Sequence, residues 1–189
     1  MNRTRPHSPD RNENAKPPDR LRGDGCPGRL DVFETTSPEE TRLLGRHFGR
    51  NVEADAVAAL VGPLGAGKTC FVQGVGRGLD VRRTVNSPTF VLMKRYRGRL
   101  QLIHWDWYRL ESEDDLESAG FGDLQVERGV VLIEWADKFI EELAEPFLRI
   151  EFNRAGAEHR RIRMRVCGES KTLQRFLDRL AQLWRERSQ

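Results

Sequence analysis

No apolar run approaches the roughly 20 residues that a helix needs to cross a bilayer, so a helical membrane span is excluded. Cysteine is scarce. Cys26, Cys70 and Cys167 are far apart, odd in number and without CxxC or Cys/His ligand spacing, and they are expected to be reduced thiols. The N-terminal MNRTRPHSPDRNENAKPPDR has basic residues but no apolar segment after them, so no secretory signal is expected and the cytoplasm is the expected compartment. Lysine is also sparse, and the positive charge is carried almost entirely by arginine. The net charge of +3 and the pI near 9.0 would suit a nucleic-acid partner, although arginine-favouring codons account for them equally, and direct RNA contact stays open.

With 189 residues, 38% hydrophobic and 32% charged, the chain allows one polar, globular domain with one core of ordinary size. Residues 1–28 are rich in Pro, Asp, Arg, Asn and Gly, and such a composition cannot offset its ordering entropy; a disordered tail is expected there, and a folded domain over 29–189. Order begins with the strand LDVFETT. In SPEETRLLGRHFG, Ser37 is the expected N-cap, Pro38 the first helical residue and Glu40 the partner in a capping box. Leu43, Leu44, His47 and Phe48 make the apolar stripe of that helix, and Gly49 is expected to end it. His47, with no companion ligands, reads as a core histidine.

AVAALVG (56–62) is a doubly buried strand, and a loop and helix follow it. VLMKRYRGRLQLIHWDWYR reads as a hairpin about Arg97-Gly98, which brings an antiparallel pair into a parallel sheet. SEDDLESAG is a short helix capped by Ser112 and stopped by Gly120, VVLIEW is another buried strand, and FIEELA is expected to be helical up to Pro146. A second hairpin turns at Ala155-Gly156. The terminal helix carries Leu173, Phe176, Leu177, Leu180, Leu183 and Trp184 on one stripe, expected to pack on the sheet.

GPLGAGKT (62–69) fits GxxxxGK[ST] at every fixed position and lies between a buried strand and a helical pattern. Gly62, Gly65 and Gly67 let backbone N–H groups turn inward around phosphate oxygens; Lys68 reaches the outer phosphates, and Thr69 offers a hydroxyl to Mg²⁺. Magnesium then requires a carboxylate at a strand end, and two are available, Asp106 in LIHWDWYR and Glu134 in VVLIEW. Alternation places Leu102, His104, Asp106 and Tyr108 on one face, with Ile103, Trp105 and Trp107 opposite as packing residues. His104 and Tyr108 either tune the site or serve as hydrogen-bonded structural groups. Neither an NKxD nor a DxxG string occurs, which favours ATP over GTP.

GPLGAGKT, SPTF, HWDWYR, ESAGFGD and IEWAD, in this order and spacing, resemble the TsaE (formerly YjeE) family from about Leu30 to Val166. The resemblance implies a three-layer α/β P-loop NTPase fold with a mixed, partly antiparallel sheet. It also implies an ATPase that works with TsaD and TsaB on the threonylcarbamoyladenosine at position 37 of bacterial tRNA, with the carbamoyl transfer itself belonging to the partners and tRNA reached at least indirectly. Carried over residue by residue, Gly62, Leu64, Gly65, Ala66, Gly67, Lys68 and Thr69 would hold the phosphates, and Thr69 and Glu134 the Mg²⁺. Asp106 and Lys68 would be catalytic, with Asp106 acting on water or on the metal's water shell. Ser87 and Thr89 would lie in a switch-like segment, and Trp135 and Asp137 would border the nucleotide. One departure is visible: Ala157-Glu158 stand where relatives often carry Gly-Arg before the last strand. A small-molecule kinase and a non-hydrolysing nucleotide switch share the loop and remain alternatives.

Overall fold

The structure is a computed structural model and describes residue 26 and residues 28–53, 55–88, 90–124 and 129–187. The expected tail over 1–28 lies outside these residues except at Cys26 and Gly28, and Thr89 lies outside them too.

Seven strands form one sheet in the order β1-β7-β6-β2-β5-β4-β3. The central strands β2 (Ala56–Val61), β5 (Val130–Glu134), β4 (Leu102–Asp106) and β6 (Phe147–Arg154) run parallel. β3 (Met93–Tyr96) is antiparallel to β4, and β7 (Arg160–Cys167) to both β6 and β1 (Leu30–Thr35). Both expected hairpins are therefore present, and the sheet is mixed. Each face carries its own apolar cluster. One gathers α1 (Pro38–Asn51), α2 (Lys68–Gly78) and α5 (Lys171–Glu186) through Phe48, Phe71, Val75, Phe176 and Leu180. The other gathers α3 (Glu113–Ser118) and α4 (Phe121–Leu124) over Ile103, Trp105, Trp107, Ile133 and Phe121. Helices on both faces of the sheet make three layers.

Four local readings need correction. Gly49 does not end α1, which runs on to Asn51. A Cβ at Gly49 would meet the Val75 carbonyl oxygen at 2.3 Å, and one at Gly74 the Arg42 carbonyl oxygen at 2.1 Å. These glycines serve the close approach of α1 and α2. At the start of α1 only half of the capping box forms: Ser37 Oγ accepts from Glu40 N, whereas the Glu40 carboxylate accepts from Thr36 N and not from Ser37 N. FIEELA is not an α-helix. Two short 3₁₀ turns, Ala136–Lys138 and Ile140–Glu142, replace it, separated by Phe139 at φ −142°. Finally, Cys26 and Cys167 are joined in a disulfide across 141 residues, so only Cys70 is a free thiol among the described residues.

A nucleotide cleft at the carboxyl ends of the strands

The parallel strands bring the site residues together by register alone. Leu60 of β2 and Asp106 of β4 both pair with Glu134 of β5, so the two carboxylates stand on adjacent strands at the end where β2 gives way to the Gly-rich loop. Carboxyl ends of parallel strands are where an open α/β sheet leaves its crevice. The loop turns through Gly62 at φ 142°, Gly65 at 70° and Gly67 at 107°. At Gly62 no side chain fits, because a Cβ would stand 2.4 Å from the Phe152 carbonyl oxygen. α2 starts at Lys68 with Gly67 as a left-handed cap that offers no side-chain acceptor, so its first N–H groups face the loop.

The cleft measures about 450 Å³ and is lined by Leu64, Gly65, Ala66, Gly67, Lys68, Thr69, Cys70, Ser87, Asp106, Tyr108, Glu134 and Trp135. Thr69 Oγ1 donates to Glu134 Oε2 at 2.9 Å, so the hydroxyl and the carboxylate converge on one point. Glu134 Oε1 faces His104 Nε2 at 2.9 Å. His104 is wholly buried and its Nδ1 meets no partner among the described residues, so a proton on Nε2 is donated to the Glu134 carboxylate. Asp106 Oδ2 accepts from Ser87 Oγ at 2.8 Å, and Oδ1 from the backbone N–H of Tyr108 at 3.0 Å. These donors meet the need of a nearly buried charge set in an apolar run. The flanking tryptophans pack away from the site, with Trp105 and Trp107 edge-on to Phe121 at 5.9 and 5.0 Å.

Lys68 is almost buried, and its Nζ donates to the carbonyls of Gly62 and Pro63. It lies 3.8 Å from the centre of the Trp135 ring. Burial holds its pKa below the usual lysine value, while Glu134, Asp137 and Asp106 pull the other way. Trp135 itself is left-handed at φ 61°, which swings its ring out of β5 and against Tyr108, 4.9 Å away. Asp137 lies in the following 3₁₀ turn and does not line the cleft. Two arginines that motif reading did not assign reach the loop from the β6–β7 hairpin. Arg154 donates to Leu64 O at 2.9 Å, and Arg160 to Gly65 O at 3.4 Å. Lys94 Nζ holds the carbonyl of Ser87 at 3.0 Å. None of these three has a local signature; only the pairing of β6 with β7 and of β3 with β4 brings them in.

A Gly-rich loop between strand and helix, with paired carboxylates at the neighbouring strand ends, defines the P-loop NTPase fold. Over residues 35–162 the chain matches the family described as "Threonylcarbamoyl adenosine biosynthesis protein TsaE", and it belongs to that family. It is 39% identical over 137 residues to the tRNA threonylcarbamoyladenosine biosynthesis protein TsaE of Bacillus subtilis, covering 72% of this chain and 85% of the relative. The Treponema pallidum protein of the same name is 42% identical over 109 residues, which cover 58% of this chain and 81% of that one. The crystal structure of Bacillus subtilis YdiB superposes with a TM-score of 0.68 at 30% identity, covering 86% of this chain and 98% of that one.

Proposed function

We propose that this chain is the Mg²⁺-dependent, ATP-binding and ATP-hydrolysing subunit of the assembly that places threonylcarbamoyladenosine at position 37 of tRNA, acting in the cytoplasm with TsaD and TsaB. The observation that carries this reading is the convergence of Lys68, Thr69, Glu134 and Asp106 in one cleft. The donor set suits Mg²⁺: a hydroxyl and a carboxylate from the chain leave the remaining oxygens to phosphate and water. Among the described residues no group of three or more His, Cys, Asp or Glu side chains offers an all-protein cage for another metal. Thr69 and Glu134 would hold the ion, which when bound neutralises phosphate charge.

The chain's own residues do the rest. Loop N–H groups and the α2 N-terminus bind phosphate oxygens, and Lys68 exchanges its carbonyl partners for them. His104 orients Glu134 from behind. Asp106 accepts from Ser87 and from Tyr108 N and lines the cleft, where its carboxylate can orient a water and hold its proton at a carboxylate oxygen. Ser87 links that carboxylate to the segment ahead of β3, so rearrangement of this segment would be felt at Asp106.

The test is phosphate release from ATP by the chain alone and with TsaD, TsaB and tRNA. Hydrolysis without an added acceptor, stimulated by the partners, is expected. Release that needs a small acceptor would instead make the chain a kinase, and binding without release under all conditions would make it a switch.

A further inference from the structure

At the end of the strands away from the nucleotide, the turn after α2 meets the β3–β4 hairpin and encloses a second cleft of about 810 Å³. Five arginines line it, Arg82, Arg83, Arg95, Arg97 and Arg99, against one carboxylate, Asp80. All five are exposed. Arg99 is spent on structure, since its guanidinium donates to the carbonyls of Gly49 and Val52 at the end of α1. Among the described residues, no carboxylate pairs with Arg82, Arg83 or Arg97. The two loops are locked together: Arg99 N donates to Leu79 O at 2.7 Å, and Gly98 lies so close to Leu79 O that a Cβ would stand 2.1 Å from it. The guanidinium groups therefore start from a fixed frame.

We propose that this arginine cleft binds the phosphate backbone of RNA, tRNA in particular. The proposal rests on the reading that this chain acts on tRNA and adds the place where RNA touches it. Like charges gathered without partners cost stability, and a polyanion with regularly spaced phosphates relieves that cost at several arginines at once. Arginine also offers a fork of donors that suits phosphate. Strand β4 runs from this cleft to Asp106, five residues or about 16 Å away, so bound RNA leaves the nucleotide mouth open. Tyr96, which lines the arginine cleft, donates its hydroxyl to Asn86 O at 3.1 Å, and Asn86 precedes Ser87. RNA contact and the Asp106 partner thus lie on one continuous segment.

The experiment is binding of an unmodified tRNA transcript to the full chain, followed by fluorescence anisotropy across a series of salt concentrations. Each phosphate contact contributes about 0.7 to 0.9 to the slope of log K against log salt, so Arg83→Glu/Arg97→Glu should flatten it by roughly 1.4 to 1.8. Affinity at fixed salt should fall at least tenfold, and Arg83→Gln/Arg97→Gln should give a smaller loss in the same direction. The exposed pair on α5, reversed as Arg175→Glu/Arg179→Glu, should bind as the parent does. ATP affinity, measured by calorimetry, should be the same in all four proteins, so a failure to bind ATP would count against the nucleotide reading and leave the RNA result to stand alone. Parent-like slope and affinity in the Arg83/Arg97 variants, or an equal loss in the α5 variant, would overturn the proposal. Polyglutamate binding as tightly as tRNA, with equal loss on reversal, would overturn it in favour of an acidic protein partner.

Discussion

Two carboxylates on neighbouring strands, paired with each other in register, carry different partners, and under the proposed function they do different work. Glu134 is held by Thr69 and by His104, a hydroxyl on one oxygen and an imidazole on the other. Asp106 is held by Ser87 and a backbone N–H. Glu134→Gln should therefore weaken Mg²⁺-dependent ATP binding, because the amide removes the charge on which the metal depends. Asp106→Asn should bind Mg-ATP nearly as the parent does yet hydrolyse it roughly a hundredfold or more slowly, the scale of a lost general base. Calorimetry with and without Mg²⁺, paired with single-turnover hydrolysis in the presence of the partners, checks both; the reverse pattern would exchange the two roles. Lys68→Ala should reduce ATP affinity about tenfold or more, since a charged hydrogen bond is worth roughly 1.5 to 3 kcal/mol. Calorimetry reads this too, and affinity equal to the parent's would remove Lys68 from the phosphate site. The motif residues of this site were legible because each has a fixed spacing within one loop or strand. Arg154, Arg160 and Lys94 were not, because their placement depends on which strands pair, and no spacing within a single segment reports that.

At the level of elements, the strands and the antiparallel sense of the two hairpins were read, because apolar runs and Gly turns are local signals, whereas the pairing of β1 with β7 has no local signal. Helix ends were read less well. Glycine has two uses, to stop a helix or to let another helix come close, and Gly49 looked like the first while serving the second. Four glycines, Gly45, Gly49, Gly74 and Gly78, face backbone atoms across the α1–α2 contact. Gly74→Ala must drive the two helices apart, since the added carbon would lie 2.1 Å from the Arg42 backbone oxygen. Thermal unfolding should register the loss as at least about 1 to 3 kcal/mol, the cost of overpacking. Gly122→Ala, whose Cβ would meet nothing within 4 Å, is the control expected to be near neutral. The contact between α1 and α5 is expected to weaken with falling pH. His47 lies edge-on to Trp184 at 6.4 Å, and its pKa is lowered from 6.5, foremost by burial and then by Arg50, Arg187 and Arg46. With the folded pKa below the unfolded one, the unfolded chain takes up the proton first. Stability present above the unfolded value is lost as pH falls through the folded value. Between pH 7.5 and 5.5, Tm should fall more steeply in the parent than in His47→Gln, and parallel curves would show that this histidine contributes nothing to the acid response.

For the whole molecule, the cysteine pair ties the residues before β1 to the end of β7. Composition draws the boundary at residue 28, because almost nothing apolar precedes Leu30, and spacing along the chain says nothing about two cysteines 141 residues apart. The sheet supplies what the spacing does not. β1 lies antiparallel to β7 with Leu30 opposite Arg165, so the residues just before β1 run alongside the end of β7, and Cys26 meets Cys167 with their Cα atoms 4.3 Å apart. Both cysteines are buried in the second apolar cluster, and Cys167 pairs with Phe147 across the β6–β7 ladder, so the link ties the entry of the chain to the core. A link that closes so long a loop restricts the unfolded chain and typically contributes about 2 to 4 kcal/mol. Two truncations separate this contribution from that of the tail. Removal of residues 1–25 keeps the pair and should leave Tm within a degree or so of the parent, as expected for a polar terminal segment whose composition offers little to bury. Removal of residues 1–28 should lower Tm by several degrees, given about 2 to 4 °C per kcal/mol for a chain of this size. Cys26→Ser in the full chain should match the longer truncation. Dithiothreitol should bring the parent down to the level of Cys26→Ser and leave that variant where it was. Equal melting of both truncations in the absence of reductant would mean that the pair does not hold the fold together, and would return the boundary to residue 28.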